Sequence, residues 1–248
     1  MNILITGASS GIGEALALEY AKNKTNTLFI CGRNKQRLNQ VKIECEKLGA
    51  KVYTKIMDVT DQVKTREWIL DCEKKYQLNL VIANAGISCG EEIPENIYNT
   101  FNTNIFGVLN TVIPTIEIYK NRKDNKRQIA IVSSLTGYHG LGGAPSYSAS
   151  KCCVKAYGEA LRARHGKEGI KVSVICPGFV RSRITDQNTF TMPFFMEADK
   201  AAKLIKTRLK NNVGLISFPW PMRFITWFIS ILPNCISNFI YSKLPEKN

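Results

Sequence analysis

The sequence predicts a doubly wound α/β fold, in which a parallel β-sheet of seven strands carries helices on both faces. Short, continuously apolar runs alternate along the chain with longer amphipathic segments. Strands that are apolar throughout are typical of a sheet covered on both sides, and strand–helix alternation favours parallel pairing. Right-handed crossovers wind such a sheet in two halves and leave a ligand crevice at the carboxyl ends of its strands.

Seven apolar segments are predicted to be strands: 2–6, 27–31, 51–56, 79–83, 128–133, 170–176 and 214–218. Helical patterns lie between them, near 12–23, 34–48, 61–76, 97–120, 146–166 and 197–211. Because no linker, repeat or low-complexity run interrupts this alternation, residues 1–217 are predicted to form a single domain. Residues 218–248 form an apolar C-terminal extension, either part of that domain or a tail that contacts a membrane or another subunit.

Composition restricts the class of protein. The chain has 248 residues, and its 34 Lys and Arg against 20 Asp and Glu give a net charge of +14. These basic residues are spread along the chain, so we expect no nucleic-acid partner, while an anionic lipid surface remains an alternative. Two histidines and eight cysteines without CxxC or CxxH spacing predict no metal site. The chain begins directly with strand residues and shows no signal-peptide pattern, so we expect a cytoplasmic protein.

A glycine-rich loop follows the first predicted strand. In "TGASSGIGEALALEYA", Gly7, Gly11 and Gly13 lie between that strand and the first helix. Glycines at this place let the backbone turn sharply and approach a pyrophosphate, which the helix N-terminus attracts. The alternative is a tight turn whose glycines only serve helix packing. Strand, loop and helix stand in the order that a dinucleotide site requires, which favours cofactor binding.

The residues after the second strand indicate which dinucleotide binds. An acidic residue here would bind the ribose hydroxyls of NAD, but the sequence has Gly32 and Arg33, with Lys35 and Arg37 nearby. A guanidinium binds a 2′-phosphate through paired hydrogen bonds, whereas a carboxylate would repel it. The pattern therefore predicts NADP(H), unless Arg33 is only a solvated loop charge.

The segment "SYSASK" places a phenol and an ammonium four residues apart. On a helix, Tyr147 and Lys151 would share one face. Such pairs are common on solvated helices, so the segment alone does not distinguish a surface pair from a catalytic one. A tyrosine acid also needs a hydrogen-bonding partner near the substrate, and Ser134 in "VSSLTG" is a candidate, with Ser133 as its rival.

Taken together, these segments resemble the short-chain dehydrogenase/reductase family over nearly all of residues 1–185. The resemblance rests on "TGASSGIG", "DVT", "NAG", "NTNIFG", "VSSLTG", "YSASK" and "PG", which occur in the family's order and spacing. Each string alone is weak. The resemblance implies a Rossmann-type catalytic domain with strand order 3-2-1-4-5-6-7.

The resemblance also assigns roles to residues. It implies that Tyr147 exchanges a proton with the substrate oxygen and that Ser134 hydrogen-bonds the substrate. It also implies that Lys151 lowers the pKa of Tyr147 and holds the nicotinamide ribose. Asn104 is implied to hold a proton-relaying water. Ser134 precedes Tyr147 at the family's spacing, which favours it over Ser133. The implied catalytic residues are Asn104, Ser134, Tyr147 and Lys151. The implied cofactor-binding residues are Gly7, Ser9, Ser10, Gly11, Ile12, Gly13, Arg33, Asp58, Val59, Asn84, Ala85, Gly86, Tyr147, Lys151, Pro177, Gly178, Val180 and Ser182.

The predicted function is that of an NADPH-dependent oxidoreductase that interconverts a carbonyl and an alcohol. Two other classes remain open. The first is an NADP(H)-binding sensor without catalysis, which would have no need for all four catalytic residues. The second is a membrane-surface or assembly protein that acts through its C-terminal tail.

Two surfaces are predicted to make contacts beyond the domain. The helices 97–120 and 146–166 match the family's dimer-forming helices, and the first carries a broad apolar stripe, so we expect a homodimer. This stripe consists of Ile105, Val108, Leu109, Val112 and Ile116. In the tail, residues 218–240 contain too short an apolar run to span a bilayer and are interpreted as a pocket cover, a subunit contact or an interfacial membrane contact.

Overall fold

The computed structural model describes residues 1–186, 191–241 and 243. In these residues seven parallel strands form one sheet in the order β3-β2-β1-β4-β5-β6-β7, as predicted. The strands are β1 (Asn2–Ile5), β2 (Thr27–Gly32), β3 (Lys51–Ile56), β4 (Leu80–Ala83), β5 (Gln128–Val132), β6 (Lys171–Pro177) and β7 (Leu215–Phe218). The chain order reverses direction between β1 and β4, so their carboxyl ends border the crevice where ligands bind in sheets of this kind.

The helices agree with most of the predicted segments. Those of the described chain are α1 (Gly11–Ala21), α2 (Lys35–Lys47), α3 (Gln62–Tyr76), α4 (Pro94–Phe101), α5 (Gly107–Lys120), α6 (Pro145–His165), α7 (Ala198–Lys210), α8 (Trp220–Ser230) and α9 (Asn234–Tyr241). Two of them start on a side-chain cap: Asn34 accepts from the Arg37 amide at the start of α2, and Asp61 accepts from the Lys64 amide at the start of α3.

Both faces of the sheet are buried. In β1, Ile3 and Ile5 pack with α1, α2 and α7, whereas Leu4 packs on the opposite face with α3, α5 and α6. Successive strand residues point to opposite faces, so a strand covered on both sides must be apolar at every position. The continuous apolar runs of the sequence have this origin.

The predicted helix 97–120 is not continuous. The structure divides it into α4, a π-helical segment (Asn102–Phe106) and α5. The Gly107 amide donates to the carbonyl of Asn102, five residues earlier, and this inserts one extra residue into the turn. An apolar periodicity does not reveal such an insertion, because the side chains on either side of it keep a helical spacing of their own.

The apolar stripe predicted to form a dimer is largely part of the domain's own core. Val108, Val112 and Ile116 are buried against the sheet, and Ile105 packs beside them. The outward-facing apolar residues of this region are Tyr98, Phe106 and Ile113. The stripe was thus the wrong evidence for a dimer, because a helix lying on a sheet already buries that face.

The C-terminal extension consists of α8 and α9, packed beside the carboxyl end of the sheet. Met222 of α8 packs with Leu135 and Cys176, and Tyr241 of α9 stacks on His139 with 4.3 Å between ring centroids. Nowhere in the described residues is a helix both long enough and apolar enough to cross a membrane.

Candidate active site

A cleft of about 330 Å³ opens at the carboxyl ends of the strands, a volume typical of small-molecule sites (roughly 300–1,000 Å³). All but two of the predicted site residues line it. Those that do are Gly7, Ser9, Ser10, Gly11, Ile12, Arg33, Asp58, Val59, Asn84, Ala85, Gly86, Ser134, Tyr147, Lys151, Pro177, Gly178, Val180 and Ser182. The exceptions, Gly13 and Asn104, are buried behind the lining.

The glycine-rich loop depends on two close approaches of the backbone. Gly7 has a positive φ of 65°, and a Cβ there would lie 2.7 Å from the Cα of Ala85. A Cβ on Gly13 would collide with Asn84 Nδ2 and the carbonyl of Gly7. Asn84 itself holds the loop, since its Nδ2 donates to the carbonyls of Thr6 and Gly7 at 2.9 and 3.1 Å. The "NAG" segment after β4 therefore stabilises the glycine loop.

Thr6 completes this junction and was missed in the sequence. It is buried, and its Oγ1 accepts from the backbone amides of Asn84 and Ala85 at 3.1 and 3.2 Å. It thereby ties the end of β1 to the chain that leaves β4. A single threonine at a strand end has no distinguishing pattern, so only the pairing of β1 with β4 reveals its role.

Basic residues lie at one end of the cleft, after β2. Arg33 is exposed, and its Nη1 lies 3.4 Å from Asp58 Oδ2. Asp58 follows β3, and its other oxygen accepts from the amide and hydroxyl of Thr60. Arg37, one turn into α2, also lines the cleft, and its Nε is buried without a hydrogen-bond partner in the described structure. Two guanidinium groups thus border this end of the cleft, and only one of them is paired with a carboxylate.

The predicted tyrosine and lysine lie on α6 and both face the cleft. Lys151 Nζ is 5.7 Å from the centroid of the Tyr147 ring, within the range of a cation–π contact. Lys151 is buried and donates to the carbonyl of Val132 at 3.1 Å. The arrangement is not a solvated surface pair, because the ammonium lies beneath the cleft and not in bulk water.

The structure separates the two candidate serines. Ser134 and Tyr147 both line the cleft, and Ser134 acts to lower the pKa of the phenol, while its hydroxyl donates to the carbonyl of Pro177 at 3.5 Å. Ser133 points the other way, and its hydroxyl donates to the backbone carbonyl of Lys151 at 2.7 Å. Successive side chains in extended backbone face opposite directions, so only one of the two can face the tyrosine. The structure thus places Ser134 with Tyr147 at the cleft, whereas Ser133 anchors α6 through its hydrogen bond to Lys151.

Burial shifts the pKa of both ionisable groups of the pair. It raises the pKa of the Tyr147 phenol, and Ser134 only partly offsets this. It also lowers the pKa of Lys151 to about 8, because the charged ammonium loses its hydration. The structure does not reproduce the predicted lowering of the Tyr147 pKa by Lys151, because desolvation of the phenol is the largest influence on this group.

Asn104 is fully buried in the π-helical segment. Its Oδ1 accepts from the Ile87 amide at 2.8 Å, and its Nδ2 donates to the Ile87 carbonyl and to Ser150 Oγ at 2.9 and 3.0 Å. Asn104 thus connects the loop after β4 to α6. A Cβ on Gly86 would meet both Lys151 Nζ and Asn104 Oδ1 at little more than 3 Å, so both polar atoms lie close to the Gly86 backbone.

Glu92 also fixes α6 and was missed in the sequence. Its Oε1 accepts from both the amide and the hydroxyl of Ser146, at 2.9 and 2.8 Å. A carboxylate at a helix N-terminus satisfies free amides and favours the helix dipole. The contact holds the residue that precedes Tyr147, yet the two partners are 54 positions apart, beyond the reach of local capping patterns.

Ser182, predicted to bind the cofactor, lies in a local turn at the cleft. Its amide donates to Thr185 Oγ1 at 2.8 Å, and the two hydroxyls are 3.3 Å apart. Thr185 also donates to the carbonyl of Val180. The turn holds residues 180–185 against the glycine loop, where a Cβ on Gly11 would meet the Ser182 side chain.

The sheet order, the glycine loop and the Ser–Tyr–Lys arrangement define a dinucleotide-binding oxidoreductase of the Rossmann type. Residues 1–192 match the family model described as short chain dehydrogenase. An oxidoreductase of Myxococcus xanthus (strain DK1622) is 36% identical over 237 residues, 93% of this chain and 92% of the relative. The chain therefore belongs to the short-chain dehydrogenase/reductase family.

Other known proteins agree with this assignment. The 17-beta-hydroxysteroid dehydrogenase 13 of Rattus norvegicus is 28% identical, with 88% of this chain and 74% of that protein covered. The crystal structure of a 3-ketoacyl-ACP reductase from Sinorhizobium meliloti 1021 superposes with a TM-score of 0.79 at 25% identity, over 91% of this chain and all of that one. Solved structures with the same fold include complexes with NAD and with NADPH. The protein is thus an oxidoreductase of a family that acts on CH–OH groups.

Proposed function

We propose that the protein is an NADP(H)-dependent reductase that interconverts a carbonyl and an alcohol, with Tyr147 as the general acid and base. One observation carries the proposal: Ser134, Tyr147 and Lys151 line the same cleft as the glycine-rich loop. A proton donor and a dinucleotide cradle in one cleft are what hydride transfer to a carbonyl requires.

The residues of the cleft fit a dinucleotide cofactor. A Cβ at Gly7 would collide with Ala85, and one at Gly11 would collide with the Ser182 side chain. Only glycine at these positions therefore leaves room for a pyrophosphate close to the backbone. The amides at the start of α1 point into the same space and carry the positive end of the helix dipole. When bound, the nicotinamide supplies or accepts a hydride. The residues of the protein hold the nicotinamide in place and transfer the proton.

The preference for NADP(H) rests on the basic end of the cleft. Arg33 follows β2 where an acidic residue would bind a free ribose, and it is exposed enough to turn from Asp58 toward a phosphate. The unpaired, buried Nε of Arg37 is a second donor at this end. A buried donor without a partner costs about 1–3 kcal/mol, so a phosphate oxygen within its reach would be stabilising.

Each catalytic side chain has a defined task in this proposal. Tyr147 donates its phenolic proton to the substrate oxygen during reduction and accepts it during oxidation. Ser134, which lines the cleft together with Tyr147, hydrogen-bonds and orients the substrate oxygen. The Lys151 ammonium stabilises the phenolate left behind, and a pKa of about 8 lets it pass a proton on near neutral pH. Asn104, fully buried behind the cleft, holds a water that relays the proton onward.

We further propose that the protein forms a homodimer through the region 97–120 together with α6. The outward face there carries Tyr98, Phe106 and Ile113, exposed by 69%, 53% and 43%. Three exposed large apolar side chains, each about two helical turns from the next, favour contact with another protein surface. A dimer through this face would hold α6, and with it Tyr147, from both sides.

A reductase assay on the purified protein tests the proposal. We expect NADPH to raise the melting temperature more than NADH at equal concentration, and to be oxidised with at least one member of a panel of aldehydes and ketones. Stabilisation by NADPH without turnover of any panel member would favour the sensor alternative. Absence of stabilisation by either nucleotide would contradict the cofactor assignment itself.

A further inference from the structure

Helix α8 presents an apolar face to solvent. The side chains of Trp220, Phe224, Trp227, Phe228 and Ile231 are exposed by 79%, 58%, 46%, 48% and 58%. Their spacing places them on one stripe, and the ring of Phe224 contacts those of Trp227 and Phe228 at centroid distances of 6.0 and 6.2 Å. We call these five residues the α8 face. Scattered apolar residues on a surface need no explanation, but a continuous stripe of aromatic rings does.

The opposite side of α8 is already used by the domain. Met222 packs with Leu135 and lies next to Gly178, and Thr226 bonds back to the carbonyl of Met222. Helix α8 therefore packs on the domain through one side, and the α8 face on its other side is not needed for the core of the domain.

The charges around the α8 face distinguish between two kinds of occupant. The segment that carries α8 and α9, residues 218–243, contains two basic residues, Arg223 and Lys243, and no Asp or Glu. Arg223 is exposed at the edge of the stripe, and no carboxylate pairs with it in the described part of the chain. Lys243 follows the end of α9. The region proposed for the dimer differs, since Glu95 and Glu117 flank its exposed rings. A purely basic border complements an anionic surface, whereas a mixed border suits a second protein copy.

We propose that the α8 face docks on an anionic lipid bilayer surface. Tryptophan and phenylalanine rings are favoured at the level of the lipid headgroups, and a basic residue beside them adds attraction to acidic lipids. Each Lys or Arg near such a surface contributes further attraction. Because no described helix can span a bilayer, the contact is an interfacial one, made by the side of α8 that the domain leaves uncovered.

Docking would also orient the domain, since α8 lies beside the cleft. Pro219 and Met222 both pack on Gly178 of the cleft wall. On the neighbouring helix, Tyr241 stacks on His139, in the loop that precedes α6. The lipid-facing stripe and the cleft are thus connected through one layer of side chains. The docking itself does not depend on the proposed reaction, and its test needs no substrate.

Vesicle binding by the full chain tests the proposal. We expect the protein to float with vesicles of phosphatidylcholine and phosphatidylserine (7:3), and to bind pure phosphatidylcholine vesicles at least tenfold more weakly. Tryptophan emission should shift to the blue on binding, because Trp220 and Trp227 are exposed whereas the third tryptophan, Trp68, is buried. Equal binding to both kinds of vesicle would overturn the requirement for anionic lipid, and no binding to either would overturn the proposal.

Two variants locate the contact. Replacing Trp220 and Phe224 together by serine should weaken binding to the anionic vesicles at least tenfold, and Arg223→Glu should weaken it and reduce its dependence on salt. The matched control replaces Val63 and Leu70 by serine, since both are exposed apolar residues on α3. Equal loss in the control would contradict a specific face. Loss of self-association in light scattering for the Trp220/Phe224 variant, with vesicle binding unchanged, would assign the face to a second copy and overturn the proposal.

Discussion

Arg33 Nη1 and Asp58 Oδ2 lie 3.4 Å apart at the end of the cleft, so the residue proposed to bind the cofactor phosphate is held by a carboxylate. Both side chains are substantially exposed, and exposed ion pairs contribute only about 0–1 kcal/mol. The pair is therefore weak enough for a phosphate to displace Asp58, and it keeps the guanidinium near the position where it is needed.

Arg33→Asp should reverse the preference for NADPH over NADH. The substitution removes a charge-assisted hydrogen bond, worth about 1.5–3 kcal/mol, and adds repulsion, so the Kd for NADPH should rise at least tenfold. Fluorescence titration with each nucleotide measures this. Lys35→Asp is the matched control, because it makes the same charge change outside the cleft lining. An unchanged Kd for NADPH would show that Arg33 does not contact the phosphate, and Arg37 would be the next candidate.

Tyr147→Phe should abolish turnover and leave NADPH affinity nearly unchanged. The ring still packs on α6, but the proton donor is lost, and general acid catalysis of this kind contributes about 10²–10⁴-fold. Steady-state rates with a responsive carbonyl compound, together with NADPH titration, provide the measurement. Tyr157→Phe, about three turns further along α6 and away from the cleft, should keep wild-type rates. More than a tenth of the wild-type turnover in Tyr147→Phe would remove Tyr147 from its assigned role.

Lys151→Met should change how stability depends on pH. Burial lowers the pKa of Lys151 from its ordinary 10.5 to about 8, so between these values the unfolded chain binds more protons and wild-type stability rises with pH. The destabilising effect of the buried charge is complete below pH 8 and disappears as the pH approaches 10.5. The methionine variant lacks this effect.

Urea unfolding of both proteins at pH 7 and pH 9.5 measures the difference. From pH 7 to pH 9.5 the free energy of unfolding of the wild type should rise by about 2 kcal/mol relative to that of the variant. The increase begins near the folded-state pKa of about 8 and amounts to about 1.36 kcal/mol for each further pH unit. A constant difference would mean that the ammonium keeps its ordinary pKa in the folded protein.

Gly13→Ala should destabilise the fold and weaken cofactor binding. The added methyl group would collide with Asn84 Nδ2 and the Gly7 carbonyl, which are themselves joined by a hydrogen bond. Overpacking of this kind costs about 1–3 kcal/mol, and relieving it would open the glycine loop. Thermal unfolding with and without NADPH tests both effects. Gly166→Ala, where the Cβ would meet nothing within 4 Å, should be neutral or stabilising.

Phe106→Glu should convert the proposed dimer into a monomer. The side chain is 53% exposed on the face that also carries Tyr98 and Ile113, and a charge in the middle of a buried interface would lose its hydration. Light scattering at micromolar concentration gives the mass of each species. Val63→Glu, at a site on α3 that is 65% exposed, should stay dimeric. A monomeric wild-type protein would contradict the dimer proposal.

The sequence determined the features that depend on local spacing. Continuous apolar runs such as that of β2 predicted buried parallel strands, and the resemblance supplied their order. Gly7 and Gly13 marked the loop because close backbone approach requires glycine. The four-residue spacing of Tyr147 and Lys151 placed both on one helix face, which α6 confirms. Each of these follows from a backbone period or from the absence of a side chain, and both can be recognised in the sequence.

Only the tertiary structure decided which distant groups meet and how much water they retain. It paired Arg33 with Asp58 across neighbouring strands, fixed Ser146 by Glu92, and showed that Ser134 faces Tyr147 while Ser133 does not. It also showed that the apolar stripe of α5 is core, whereas the stripe of α8 faces solvent. The reason is common to all of these: hydrogen bonds, desolvation and burial depend on the elements that the sheet brings together, and residue spacing within one element carries no information about its neighbours.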